Sequence, residues 1–365
     1  MNMSTLQRSS DGKHKMSIPR SIRAARVKSI PSIFRRFLNV PISVSSHKIP
    51  HLFNPAGLSN LTGRIETMGA VAFAFGGLAD IWKGRFKDQP DTLGSMVAVK
   101  IIRTYTQDKR YVKDRNDRLV REAKVWSRLA HPNVTPFLGI SFDVGQGQVG
   151  APALICPYYS KGNLTKYLED NTEANRFRLL AEAASALNYL HSLQPNGIIH
   201  GDMKASNILV NDDGHACLAD FGLSRILEVR GFTTKSSGGT CRWMAYELVV
   251  PPEDEEDNDD YVPPLTRETD VWAFGMTILQ VVLTGSVPYH NLIMDPAVIF
   301  AIIRRNLPER PPNLPNVVWR LLERCWDFSP TNRPSMRAVQ FALEAYDKKR
   351  DLTVDELDAI LQNAG

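Results

Sequence analysis

The run His200-Gly201-Asp202-Met203-Lys204-Ala205-Ser206-Asn207 is followed, thirteen residues after its Asn, by Asp220-Phe221-Gly222. Two carboxylates and a carboxamide are hard oxygen donors of the kind that hold Mg²⁺. Lys204, among them, is a cation able to neutralise anionic oxygens. By residue type alone this is a site for phosphate chemistry. The apolar runs Ile208–Val210 and 216–219 flank the turn Asp212-Asp213-Gly214. The stretch therefore reads as a β-hairpin with Asp202, Asn207 and Asp220 at its ends.

The elements that must position these groups fall into two halves. Short runs rich in Val, Ile, Trp and Phe predict strands at 71–75, Ala79–Phe86 and Met96–Ile102, with Gly76-Gly77 and residues 91–95 between them. Residues 118–130 have helical spacing, with Leu119, Ala123, Trp126 and Ala130 on one face, and His131-Pro132-Asn133 ends that helix. Two more strands are predicted at 134–141 and 152–156. After them the pattern is helical, at 175–193, 268–284, 297–305, 317–325 and 335–346, with no internal repeat. Thr353 and Glu356 form a capping box for a short helix over 353–362. A small strand-rich half thus precedes a larger helical half, which is an α+β class.

Charge separates a leader from the rest. Lys and Arg number 44 against 39 acids, a net +5, but residues 1–50 alone carry +9 and the remainder −4. The globular part is mildly acidic, which argues against a nucleic-acid partner. The leader, residues 1–60, is rich in Ser, Arg and Pro and is expected to be disordered. Its composition also fits a mitochondrial transit peptide, although a cytoplasmic location is the main expectation. Seven acids crowd residues 253–260, which read as a solvated surface loop. Four cysteines, Cys156, Cys217, Cys241 and Cys325, are widely spaced and expected to be reduced thiols. The uncharged stretch 271–294 contains Gln280, Pro288 and His290, and only its first half is strongly apolar. It predicts a buried core helix and no transmembrane segment.

These motifs, in this order, make the chain resemble the eukaryotic-type protein kinases from about residue 65 to 346. In detail it resembles the serine/threonine kinases of the tyrosine-kinase-like group, fungal members included. The resemblance implies a two-lobed fold. A small antiparallel β-sheet lobe plus one helix would cover 61–157 and a larger, mainly helical lobe 158–346. Residues 347–365 would be a helical extension. It implies ATP and Mg²⁺ as cofactors, with Mn²⁺ as an alternative ion, and protein substrates bearing Ser/Thr acceptors.

The implied roles fall on particular residues. Val97-Ala98-Val99-Lys100 resembles the V-A-I-K strand, so Lys100 should contact the α/β phosphates, held by an ion pair to Glu122. Asp202 should accept or orient the substrate hydroxyl proton, with Lys204 beside it. Asn207 and Asp220 should ligate the metal. Gly76, Gly77, Ile81, Ala98 and Tyr158 should line the nucleotide, and Cys156 should stand at the back of its pocket. The activation segment should include Thr233, Thr234, Ser236, Ser237 and Thr240, the last favouring Ser/Thr over Tyr acceptors. Glu247 should pair with Arg333, and Asp270 should anchor the catalytic-loop backbone, both as structural groups.

The sequence also departs from the family pattern. Ala74, Gly76 and Ala79 stand at the three glycine positions of the phosphate loop, which should stiffen it. Gly201 replaces the Arg of H-R-D, which removes a receiver for a phosphorylated activation segment. Tyr246 replaces the Pro of A-P-E and should loosen that turn. Two other functions are therefore weighed. One is a pseudokinase scaffold, opposed by the presence of Lys100, Glu122, Asp202, Asn207 and Asp220. The other is a small-molecule phosphotransferase of the aminoglycoside-kinase type, favoured by Gly201 and opposed by Lys204 and the 240–247 segment.

Overall fold

Alternation of side chains along a few short strands builds the upper part of the site. The computed structural model describes residues 58–75, 79–87, 96–103, 109–144, 152–221, 240–253, 258, 261–283 and 285–364. The strands are β1 (Ile65–Met68), β2 (Ala74–Phe75), β3 (Ala79–Phe86), β4 (Met96–Ile102), β5 (Gly139–Ser141) and β6 (Ala153–Pro157). The sheet is antiparallel in the order β1-β3-β4-β6-β5, with β2 also on β3. Met68 faces Lys83 and Ala74 faces Ile81, so residues 69–73 all stand opposite Trp82 alone. β1 and β2 are therefore one edge strand interrupted by a wide bulge, and the sheet has five strand positions. The strand expected over 71–75 is corrected accordingly. Its first residues belong to the bulge, where Gly69 has φ +86°, and the long pairing segment lies earlier, at β1.

Register divides the sheet into two faces. Val97, Val99 and Ile101 of β4 and Ala153 and Ile155 of β6 share a small core with Leu61 and Ile65. The opposite face carries Ile81, Ala98, Lys100, Leu154 and Cys156, since Ile81, Lys100 and Leu154 align across three strands and Ala98 aligns with Cys156. Helix α1 (Lys109–Trp126) covers part of that face with Leu119, Ala123 and Trp126. It starts nine residues before the expected 118 and ends four before 130. The added turns are mostly polar and basic, so no apolar period marks them, and Ala130 is exposed beyond the helix end.

The lower lobe is helical. It comprises α2 (Leu164–Asp170), α3 (Arg176–Ser192), the hairpin β7 (Ile208–Val210) and β8 (Ala216–Leu218), α4 (Tyr246–Val249), α5 (Arg267–Val282), α6 (Asp295–Ile303), α7 (Asn316–Cys325), α8 (Met336–Lys348) and α9 (Val354–Asn363). Helix α2, absent from the sequence expectation, is started by Asn163, whose side chain accepts from Lys166 N. Helix α5 is buried from Thr269 to Val281, as an all-round apolar helix must be. It passes α7 closely at Gly275, where a Cβ would lie 2.7 Å from Trp326 Nε1 and 2.8 Å from Cys325 Cβ. Thr353 and Glu356 cap α9 reciprocally, and Leu357 and Leu361 enter the lobe's own core, at about 1.5–3 kcal/mol each. Among the described residues no helix is long and apolar enough to cross a membrane. The leader through residue 57, Gly76 and Gly77, most of the acidic run, and residues 222–239 lie outside the described residues.

Candidate active site

The hairpin β7–β8 and the turn before it gather the polar groups. Asp270, near the start of α5, accepts from His200 N at 2.7 Å and from Gly201 N at 2.8 Å, and meets His191 Nε2 at 2.9 Å. One buried carboxylate thus fixes the backbone two residues ahead of Asp202. Gly201 has φ +76°, a conformation open to glycine without strain. Its presence therefore eases the turn as well as removing an arginine. His200 donates through Nε2 to Ala219 O at 3.0 Å and accepts at Nδ1 from Asp202 N at 3.2 Å, which defines a neutral ring tying the two strands' ends together.

The Asp202 carboxylate is held from one side. Lys204 Nζ lies 2.9 Å from Oδ1 and 2.8 Å from Oδ2. Asn207 Nδ2 donates to Oδ2 at 2.8 Å and to the Asp202 carbonyl at 2.7 Å. Ala205 N donates to Gln280 Oε1 at 3.3 Å, so the polar residue in the middle of α5 braces the same loop. Gln280 was visible as a lone amide within an apolar run, though nothing in the sequence told which loop it would meet.

Lys100 reaches the site from β4 and corrects one expectation. Its Nζ lies 2.6 Å from Asp220 Oδ1, and the carboxylate against it is not that of Glu122. Glu122 is half-buried on α1 and has an interaction of its own. The reason is proximity. Asp220, at φ +63°, has its carboxylate within 2.6 Å of the ammonium, and a buried ammonium pairs with the carboxylate nearest it. Burial pushes the Asp220 carboxyl up, but Lys100, with smaller help from His200 and Lys204, offsets this and the net direction is down. Phe221 follows with its ring 5.3 Å from Trp126 and 6.4 Å from His200, linking α1 to the catalytic turn.

The remaining predicted residues fall in two groups. Ile81 and Ala98 lie on the same sheet face as Lys100, and Tyr158 follows β6, its N donating to Met96 O at 3.2 Å. Cys156 Sγ sits 3.8 Å from Ala98 O. Leu209 is less buried than its neighbours Ile208 and Val210 and forms a bridge with Asn163, the residue that starts α2. Sequence reasoning missed it, and strict alternation in β7 was the available signal. Glu247 and Arg333 form a two-pronged pair, at 2.6 and 2.8 Å. Thr240 opens a single 3-10 turn ending at Trp243 and makes no described hydrogen bond to Asp202 or Lys204. Tyr246 is not loose: its ring lies 5.5 Å from Phe328, and the Arg305 guanidinium sits 4.9 Å from its face. A half-buried aromatic ring held between two partners stands in for the rigidity proline would supply.

Two predictions arise here. Burial lowers the His200 pKa below its usual 6.5, so the unfolded chain takes up a proton that the folded chain refuses. Stability is therefore full above about pH 6.5 and falls as pH drops below it, through this group. Urea unfolding at pH 7.0 and 5.5 should show a lower midpoint at 5.5; an equal or higher one contradicts the neutral buried ring. Burial also raises the thiols, to about 12 for Cys156, Cys241 and Cys325 and about 11 for Cys217. None is a thiolate at pH 8. Iodoacetamide at pH 8 should leave native protein unmodified by intact mass, and label all four cysteines in denaturant.

The match to known proteins agrees with this geometry. The family of protein tyrosine and serine/threonine kinases covers residues 68–343. The chain belongs to that family. The kinase is 30% identical to the serine/threonine/tyrosine-protein kinase HT1 of Arabidopsis thaliana over 76% of its own length and 65% of the relative's. It is 32% identical to the serine/threonine-protein kinase CTR1 of the same plant, over 67% of its length and 28% of the relative's. It is 30% identical to the human receptor-interacting serine/threonine-protein kinase 1, over 62% and 34%. The chain therefore spans between about a quarter and two thirds of the length of these relatives.

Proposed function

We propose that this kinase transfers the γ-phosphoryl group of ATP to Ser or Thr hydroxyls of protein substrates. The observation that carries this reading is the convergence of the Lys100–Asp220 pair and the Asp202–Lys204–Asn207 cluster at the ends of β4 and of the β7–β8 hairpin. The similar proteins include serine/threonine kinases and one dual specificity kinase from Dictyostelium discoideum. They support hydroxyl phosphorylation, and Thr240 with Lys204 favours the aliphatic acceptors.

Protein kinases as a family use ATP with a divalent metal, and the donor set suits Mg²⁺. Asn207 spends its amide nitrogen on Asp202, which leaves its Oδ1 as an acceptor, and Asp220 keeps one carboxylate oxygen beyond the Lys100 contact. Among the described residues no cluster of three His, Cys, Asp or Glu could hold a metal unaided. A site with two protein oxygens, completed by phosphates and water, is how Mg²⁺ is usually held. Bound there, Mg²⁺ would neutralise charge on the phosphate oxygens.

The chain's own groups do the rest. Lys100 presents its ammonium to the phosphates while staying within reach of Asp220. Asp202, fixed by Lys204 and Asn207, offers a carboxylate oxygen to the substrate hydroxyl and takes its proton as the hydroxyl oxygen bonds to the γ-phosphorus and the bond from that phosphorus to the β,γ-bridging oxygen breaks, releasing ADP. Ile81, Ala98 and Leu209 supply apolar walls for the base. Catalysis here is positioning and electrostatics.

The test is a Mg·ATP transfer assay on a degenerate peptide library, with Lys100→Met and Asp202→Asn as controls. Transfer by wild type to Ser/Thr peptides, lost in both variants, supports the reading. No transfer, with ATP still bound, would favour a scaffold. A separate expectation concerns regulation. Gly201 leaves the catalytic turn without the arginine that would receive a phosphate, so Thr233, Thr234, Ser236 and Ser237 changed together to Ala should retain basal activity. Loss of activity in that folded variant contradicts this.

A further inference from the structure

Three side chains from three elements meet at the outer end of the cleft. Phe73, the last residue of the bulge before β2, donates its backbone N to Ile81 O at 3.0 Å, which seats it on the sheet. Its ring is 48% exposed and meets the Tyr158 ring edge-on, with centroids 5.6 Å apart and planes at 83°. Lys83 of β3 aligns with Ala98, which aligns with Cys156, so it lies on the cleft face of the sheet. Its Nζ sits 4.6 Å from the Tyr158 centroid and 5.7 Å from that of Phe73. An edge-to-face aromatic pair with a cation over it is a directed contact.

The location gives this cluster its meaning. Tyr158 belongs to the segment joining the lobes, and Phe73 directly precedes β2, the strand that roofs the cleft. Further along, Ala74 and Ala79 stand where flexible glycines would let a phosphate loop fold down over a nucleotide. A stiffer roof must be set at the right height before the nucleotide arrives. We infer that Phe73, Lys83 and Tyr158 form a latch that fixes the roof strand to the hinge, making Phe73 and Lys83 positioning residues for the nucleotide's base. The rings are too close for a base to enter between them, so the base lies inside the latch. This rests on the kinase reading above, and deepens it by naming what preorganises the base end of the site.

A latch at the base end acts equally on every ligand that carries the base. Phe73→Ala should weaken adenosine, ADP and ATP by one common factor, about 5- to 10-fold, and Lys83→Met by about 2- to 5-fold. Lys100→Met, at the phosphate end, should weaken ATP far more than adenosine. Phe73→Ala with Lys83→Met should lose less than the product of the two single losses, because either change already breaks the three-way contact. In peptide phosphorylation both single variants should raise KM for ATP and leave kcat within about twofold. Titration calorimetry of the full chain with adenosine, ADP and ATP reads the affinities, and thermal unfolding confirms that the half-exposed substitutions leave the fold intact. Wild-type affinity for adenosine in both variants overturns the latch and leaves the kinase reading standing. So does additivity of the two losses, or a loss confined to ATP. A wild-type chain that binds none of the three ligands overturns both.

Discussion

Asp202→Asn is expected to lower phosphoryl transfer by about 10²- to 10⁴-fold, the usual worth of a positioned general base, without a change in the thermal unfolding midpoint. The environment of this carboxylate explains both halves of the result. Lys204 Nζ faces both of its oxygens and Asn207 Nδ2 faces one of them, so every neighbour on that side is a donor. An amide placed there must turn its oxygen toward the donors, and its NH₂ then points toward the substrate. Its oxygen keeps the Asn207 bond and one of the two Lys204 contacts, the partly exposed Lys204 ammonium replaces the other with water, and the amide cannot take the hydroxyl proton. Binding of ATP should persist, because Lys100 and the cleft face of the sheet are untouched. Rates with a Ser peptide, alongside calorimetric ATP affinity, check this. A variant that retains more than about a tenth of wild-type kcat would remove Asp202 from the proton transfer.

Arg333→Ala is expected to destabilise the fold by about 3 kcal/mol, the lower end for breaking a buried ion pair. The Arg333 side chain is 0% exposed and that of Glu247 is 28% exposed, so water recovers part of the glutamate's loss. Besides Glu247, the guanidinium donates to Asp327 O and to Glu268 O, both at 2.9 Å, and lies 5.0 Å from the Trp272 ring. Truncation leaves two carbonyls and a carboxylate without their donor, each a cost of its own. The pair joins α4 to the chain ahead of α8. At roughly 2–4 °C per kcal/mol for a domain of this size, the midpoint should fall by about 6–12 °C. Differential scanning calorimetry decides it, and a shift under 2 °C would show that this pair contributes little. The two substitutions separate chemistry from architecture: the first removes rate with stability intact, the second the reverse.

The groups of the site differ in how readable they were. Asp202, Lys204, Asn207 and Asp220 are close in sequence, and the hairpin between them is signalled by Asp212-Asp213-Gly214 and by alternation in Ile208–Val210. A short hairpin leaves its ends little freedom, so spacing alone brings these residues together. Helix α5 was equally plain, because an apolar run of that length must be buried. Edges were harder to read. The bulge at 69–73 has no composition that distinguishes it from strand, and the first turns of α1 are polar. Both are set by what they pack against.

Residue order thus determined the fold class, the family and the chemistry, since these depend on local spacing and on which faces must leave water. Tertiary structure decided which of the long-range partners meet. Lys100 lies 2.6 Å from the Asp220 carboxylate and not against Glu122. Gln280 braces the catalytic loop from the middle of a core helix. Tyr246 is held between Phe328 and Arg305 where a proline was expected to be missed. Phe73, Lys83 and Tyr158 meet at the mouth of the cleft. Each of these contacts is a distance of a few ångströms between segments far apart in the chain. Such distances follow from the register of strands and the crossing of helices, which a one-dimensional pattern does not contain.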